Sequence, residues 1–131
     1  MALTVADTDV LIDFLGGQSP GAEHVAAALN RGDLVTTTVT RFELLAGARG
    51  ARQERVIRAL LEAVPALPLD EPAADRAAMV RRDLERRGAG IGMADSLIAG
   101  IVLTHRGTLS TRNRRHFDRV PNLRLDAADT R

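Results

Sequence analysis

Short apolar runs punctuate the chain, and most are followed by residues at helical spacing. Leu3-Thr4-Val5-Ala6 reads as a buried strand ending at Asp7. Val10, Leu11, Phe14 and Leu15 then recur with a helical period until Gly16-Gly17 stops them. Residues 21–30 resume helical character before Gly32, and Leu34-Val35-Thr36-Thr37 is the second strand. The Thr40-x-x-Glu43 spacing predicts a helix opening there and running towards Gly47. Residues 52–63 set Val56, Ile57, Leu60 and Leu61 on one face, and Pro65 to Leu69 reads as a third short strand. Asp70 followed by Pro72 marks a helix start, with Ala73, Ala77, Val80 and Leu84 as its buried stripe. Residues 93–106 form an apolar helix with Gly107 as its left-handed terminator. Thr108-Leu109-Ser110 and Leu123-Arg124-Leu125 complete the strands. Such alternation predicts one α/β domain over residues 1–131: a three-layer α/β/α sandwich around a short, mainly parallel sheet.

Composition narrows the chemistry. With no Cys, a disulfide framework and a thiolate metal site are both excluded. No apolar run approaches the roughly 20 residues that span a bilayer, and MALTVADTDV lacks a basic stretch leading into an apolar one. A cytoplasmic location is the expectation. All 18 basic residues are Arg, so no reaction that needs a lysine ammonium is open to this chain. The net charge is only +1, yet residues 104–124 carry six Arg against Asp118, a local +5 that suits a polyanion.

Three acids fall at element ends instead of on solvated faces. Asp7 follows the first strand, Glu43 lies at the start of the helix after the second, and Asp95 opens the apolar helix. Parallel sheets bind ligands beyond the carboxyl ends of their strands. Carboxylates gathered there repel one another unless a cation neutralises them or one keeps its proton. An oxygen-only donor set favours a hard ion such as Mg2+ or Mn2+. Each acid also has a structural reading: Asp7 as a helix cap, Glu43 as the capping-box partner of Thr40, and Asp95 as a first-turn acid facing the helix dipole.

Val5-Ala6-Asp7-Thr8-Asp9-Val10-Leu11-Ile12-Asp13 resembles the opening of PIN-domain ribonucleases. Thr38 to Gly47, around Glu43, is similar to their second motif. Gly92-Met93-Ala94-Asp95-Ser96-Leu97-Ile98-Ala99 matches the third, and Leu109 to Phe117 the fourth. The resemblance covers residues 3–125 and, by size, is nearest to VapC-type toxins of bacterial toxin–antitoxin pairs. It implies an Mg2+-dependent (or Mn2+-dependent) endoribonuclease that hydrolyses RNA with a metal-activated water. Asp7 and Asp95 would hold the ion, and Glu43 would complete its shell or orient a water. Thr111 and Asn113 would position water or phosphate, and Arg112, Arg114 and Arg115 would contact the RNA backbone. The resemblance also implies a homodimer and a cognate antitoxin. The antitoxin would lay an apolar helix into a groove near residues 42–61 and send a basic side chain towards the carboxylates.

Two positions depart from the family pattern. Asp9 stands where Asn is usual, and Asn113 where many members carry a fourth acid. Asn113 keeps a carbonyl oxygen but weakens the case for a second metal ion. His116 invites a general-acid reading, although the metal chemistry makes it dispensable; His24 and His105 are expected to be non-catalytic. Asp7-Thr8-Asp9-Val10 also fits the opening of haloacid-dehalogenase-like phosphatases. Those enzymes, like receiver domains, normally rely on a Lys that this chain lacks. A non-catalytic PIN-like interaction module is the alternative from another class.

Overall fold

In a computed structural model that describes residues 2–126, five strands form one sheet in the order β3-β2-β1-β4-β5, and every neighbouring pair is parallel. The strands are β1 (Thr4–Ala6), β2 (Leu34–Thr37), β3 (Ala66–Leu67), β4 (Thr108–Ser110) and β5 (Arg124–Leu125). Seven helices connect them: α1 (Thr8–Gly16), α2 (Gly21–Arg31), α3 (Thr38–Ala46), α4 (Gly50–Ala63), α5 (Glu71–Arg86), α6 (Met93–His105) and α7 (Arg114–Phe117).

Side-chain alternation along the strands builds the layers. In β1, Val5 packs with Val80, Leu84, Ile98, Val102 and Phe117 from α5, α6 and α7. Its neighbour Ala6 packs with Val10, Leu11, Val25, Leu44 and Leu61 from α1 to α4. Two-residue periodicity thus sends successive residues to opposite cores. Helix α5 buries the expected Ala73, Ala77, Val80 and Leu84. No helix among the described residues is long and apolar enough to cross a membrane.

The structure corrects several boundaries. The third strand is confined to Ala66–Leu67 because Pro65 and Pro68 flank it and supply no N–H to a ladder. Helix α3 begins two residues before Thr40, since Thr37 is its cap and its Oγ1 accepts from the Thr40 amide at 3.0 Å. Arg106, with φ 54°, makes the left-handed turn after α6 that the sequence leads one to expect at Gly107. Gly107 answers a different need: a Cβ there would stand 3.0 Å from Val5 Cγ2 and 3.2 Å from the Leu3 carbonyl oxygen.

Candidate active site

From β1 the chain moves outward to β2 and β3, then returns across the sheet to β4. The switch point between β1 and β4 is where such sheets open a crevice at their carboxyl ends. Asp7 ends β1 there, and Thr111 follows β4. The two are stitched together by the Asp7 amide, which donates to the Ser110 carbonyl at 2.9 Å, and by Thr111 Oγ1, which donates to Asp7 Oδ2 at 2.7 Å. Asp7 also caps α1, accepting from the Thr8 amide at 2.8 Å. Its capping and site-forming positions are therefore the same.

Asp7 is buried, with 6% of its surface exposed. Burial, above all, and the nearby charges of Asp9 and Asp95 push its carboxyl up to about 7, against the opposing hydrogen bonds from Thr111 and Thr8. Asp9 is raised as well, chiefly by burial. One of its oxygens, Oδ1, is buried without a hydrogen-bond partner. Two buried carboxyls, held towards their protonated forms, thus stand together at the switch point.

Glu43 enters the site by an unexpected route. Because α3 starts at Thr38, Glu43 lies in its second turn and is not a capping-box partner of Thr40. Thr8 Oγ1 donates to Glu43 Oε1 at 2.6 Å and lies 3.1 Å from Thr40 Oγ1, which ties the first and second motifs together through one hydroxyl. Asp95, in the first turn of α6, accepts from Asn113 Nδ2 at 3.0 Å. Asn113 Nδ2 is also 3.0 Å from His116 Nδ1, which stands 3.3 Å from the same Asp95 oxygen. Thr111 Oγ1 accepts from the Asn113 amide at 3.0 Å, so one chain of contacts runs from Asp7 to Asp95.

The arginines separate into different roles. Arg112 Nε lies 2.8 Å from Asp13 Oδ2, and Arg114 Nη1 donates to the Asp126 carbonyl at 2.7 Å. Arg115 is exposed and has no ion pair among the described residues. Asp13, which sequence reasoning did not single out, offered only its spacing of four residues from Asp9 as a signal. His24, placed outside the catalytic set, contacts Asp126 Oδ2 at 2.9 Å, and His105 is exposed at the end of α6.

Residues 4–123 match the PIN domain family. The chain belongs to that family. It is 31% identical over 124 residues to the tRNA(fMet)-specific endonuclease VapC of Shigella flexneri, covering 92% of this chain and 93% of that protein. It is 30% identical to ribonuclease VapC19 of Mycobacterium tuberculosis, covering 92% and 97% of the two chains. Among solved structures, DNA-bound VapBC from Salmonella typhimurium superposes with a TM-score of 0.84 at 25% identity, covering 96% of this chain and 98% of that one. The all-parallel sheet flanked by helices is the PIN-domain arrangement, and the VapC resemblance read from the four motifs agrees with these matches.

Asn113 gives this PIN domain a measurable signature. Replacing it with Asp sets a new carboxylate where Nδ2 now donates to Asp95, which should raise a neighbouring carboxyl pKa and lower stability without metal. The Asn113→Asp protein should melt earlier than the parent in chelator and gain more from excess Mn2+. Equal metal-induced rises in melting temperature would place position 113 outside the ion's field.

Proposed function

We propose that this PIN domain is a VapC-type ribonuclease, the toxin of a toxin–antitoxin pair, and that it cuts RNA with the help of a divalent cation. The observation that carries the reading is the buried carboxylate of Asp7 at the sheet's switch point, linked through Thr111 and Asn113 to the carboxylate of Asp95. The donors fit a hard ion, being oxygens from Asp7, Asp95 and Glu43 with no thiolate in the chain. No group of three or more Asp, Glu or His among the described residues is arranged to enclose an ion by itself. Mg2+ commonly takes one or two carboxylates and fills its remaining positions with water and substrate oxygens. Asp7 and Asp95 would hold the ion, with Mg2+ or Mn2+ as the candidates.

When bound, such an ion lowers the pKa of water and offsets charge on the scissile phosphate. The protein's own residues do the rest. Thr111 fixes Asp7 by donating to Oδ2, and Thr8 fixes Glu43 at the edge of the site, where its free carboxylate oxygen can take a proton from an attacking water. Asn113 orients Asp95. Without Tyr or Trp, RNA is held by backbone contacts and shape instead of extensive stacking. Arg115 is the best placed of the three arginines for such a contact. Arg115→Ala should lower the magnitude of the salt slope of RNA binding by about 0.7–0.9 while leaving the cleavage position unchanged. A moved cleavage position with an unchanged slope would assign it to base reading.

A groove of about 620 Å³ is lined by Ile12, Leu15, Leu44, Val56 and Ile57, with Glu43, Arg49 and Arg52 supplying its charges. Its apolar walls suit the amphipathic helix of an antitoxin, and Glu43 suits a basic antitoxin side chain. Exposed Phe42 and Met93, beside Leu69 and Leu97, supply an apolar face for a homodimer. The encompassing test is expression in a bacterial host. Growth should stop, resume with Glu43→Ala, and resume when an adjacent small open reading frame is co-expressed. Growth unaffected by the parent protein at high expression would sink the toxin reading.

A further inference from the structure

Asp9 and Asp13 stand one helical turn apart on α1 and grip the same residue of the loop after β4. Asp9 Oδ2 accepts from the Arg112 amide at 3.0 Å, while Asp13 Oδ2 lies 2.8 Å from Arg112 Nε. The second contact is a charge pair off the N–H axis, since that oxygen has no aligned hydrogen bond. Asp13 is nearly covered, with 10% of its side chain exposed against 54% for Arg112. Its carboxylate is pressed against α2 at Gly21, where a Cβ would collide with Oδ2. A carboxylate wedged in this way has little freedom, so the guanidinium that meets it is held in turn.

The residues on either side of Arg112 are the ones that reach the site. Thr111 donates to Asp7 and Asn113 donates to Asp95. We propose that Asp9, Asp13 and Arg112 form a clamp that positions Thr111 and Asn113 against the two carboxylates, and that Arg112 serves this clamp instead of the RNA backbone. Arg112 is therefore a positioning residue for the cleavage reaction, and this role rests on the ribonuclease reading above. Removing its guanidinium leaves Asp13 as a covered charge without its cation, which a loop can relieve only by moving. Asp13→Asn releases the same pair from the other side while keeping the shape that fits against Gly21.

The test uses the full chain, with Arg112→Ala, Asp13→Asn, the double variant and Arg115→Ala beside the parent. Total transfer RNA is the probe, bound in EDTA and cut after Mn2+ is added. Amide exchange at positions 112 and 113, measured by NMR without RNA, should quicken at least tenfold in both single variants. The kcat should fall about tenfold in each with KM near the parental value, a loss typical of groups that orient metal ligands. The double variant should be no worse than either single one, because both remove one interaction. The salt slope of RNA binding should stay parental in Arg112→Ala and fall in Arg115→Ala. Parental amide exchange in Arg112→Ala, or a reduced salt slope with kcat preserved, would overturn the clamp. A parent protein that neither binds nor cuts RNA would overturn the ribonuclease reading, while amide exchange would still decide whether the clamp exists.

Discussion

Replacing Asp7, Glu43 or Asp95 with Ala should each reduce RNA cleavage by roughly a thousandfold or more. The estimate follows from the several kcal/mol that a bound metal ion lends to phosphate transition states, at about 1.4 kcal/mol per tenfold in rate. The three losses should not add, because each variant disables one shared centre. Structure supplies the reason for treating them as a unit: Asp7 is linked to Asp95 through Thr111 and Asn113, and Thr8, next in the chain, carries Glu43. Single-turnover cleavage of a labelled RNA by the three single variants and the triple variant checks both claims. The variants should remain folded, as removal of charge from a crowded pocket does not disrupt either core. A folded Asp95→Ala protein that cuts at the parental rate would refute the assignment.

The second large effect is on stability and pH. Asp7 has its carboxyl raised from 3.8 to about 7 in the folded protein, so between those values the native chain holds a proton that the unfolded chain has released. Stability of the metal-free protein should therefore be highest at low pH as far as Asp7 is concerned, and fall as pH rises from about 4 to about 7. The full loss attributable to this one group is on the order of 4 kcal/mol by pH 8. Asp7→Asn keeps the shape, cannot ionise, and should abolish this part of the pH dependence. Its melting temperature in EDTA at pH 8 should exceed that of the parent. Mn2+ at 100 times its Kd should narrow that gap, since an ion bound only to the folded parent adds about 2.7 kcal/mol. Melts from pH 4 to 8, with chelator and with Mn2+, measure both halves. A parent whose pH profile coincides with that of Asp7→Asn would show that Asp7 titrates normally.

The layered fold was readable because its cores repeat simple periods. Ala73, Ala77, Val80 and Leu84 mark one helix face, and Val5 and Ala6 mark the two faces of the central strand. Asp7 was equally readable, because a carboxylate ending a central strand and opening a helix has a position defined by local sequence alone. Glu43 was harder: Thr37 and Thr40 both satisfy the cap pattern, and only the backbone path decides that Thr37 takes it. The four-residue helix α7 is too short to show a period. The arginines were hardest of all. Arg112, Arg114 and Arg115 are interchangeable as a charge run, and their partners Asp13 and Asp126 lie elsewhere in the chain. Long-range ion pairing has no sequence period, so it becomes visible only when α1 and the loop after β4 meet.

On the reading proposed above, a divalent cation at the Asp7–Asp95 end of the sheet enables this chain to cut RNA. The most direct measurement is cleavage of total transfer RNA by the purified protein in excess EDTA, before and after Mn2+ is restored, with the Asp95→Ala protein purified in parallel. No products are expected in EDTA, discrete fragments once Mn2+ is present, and none from Asp95→Ala under either condition. Cleavage that persists undiminished in EDTA would contradict that reading, as would identical fragments from the Asp95→Ala protein.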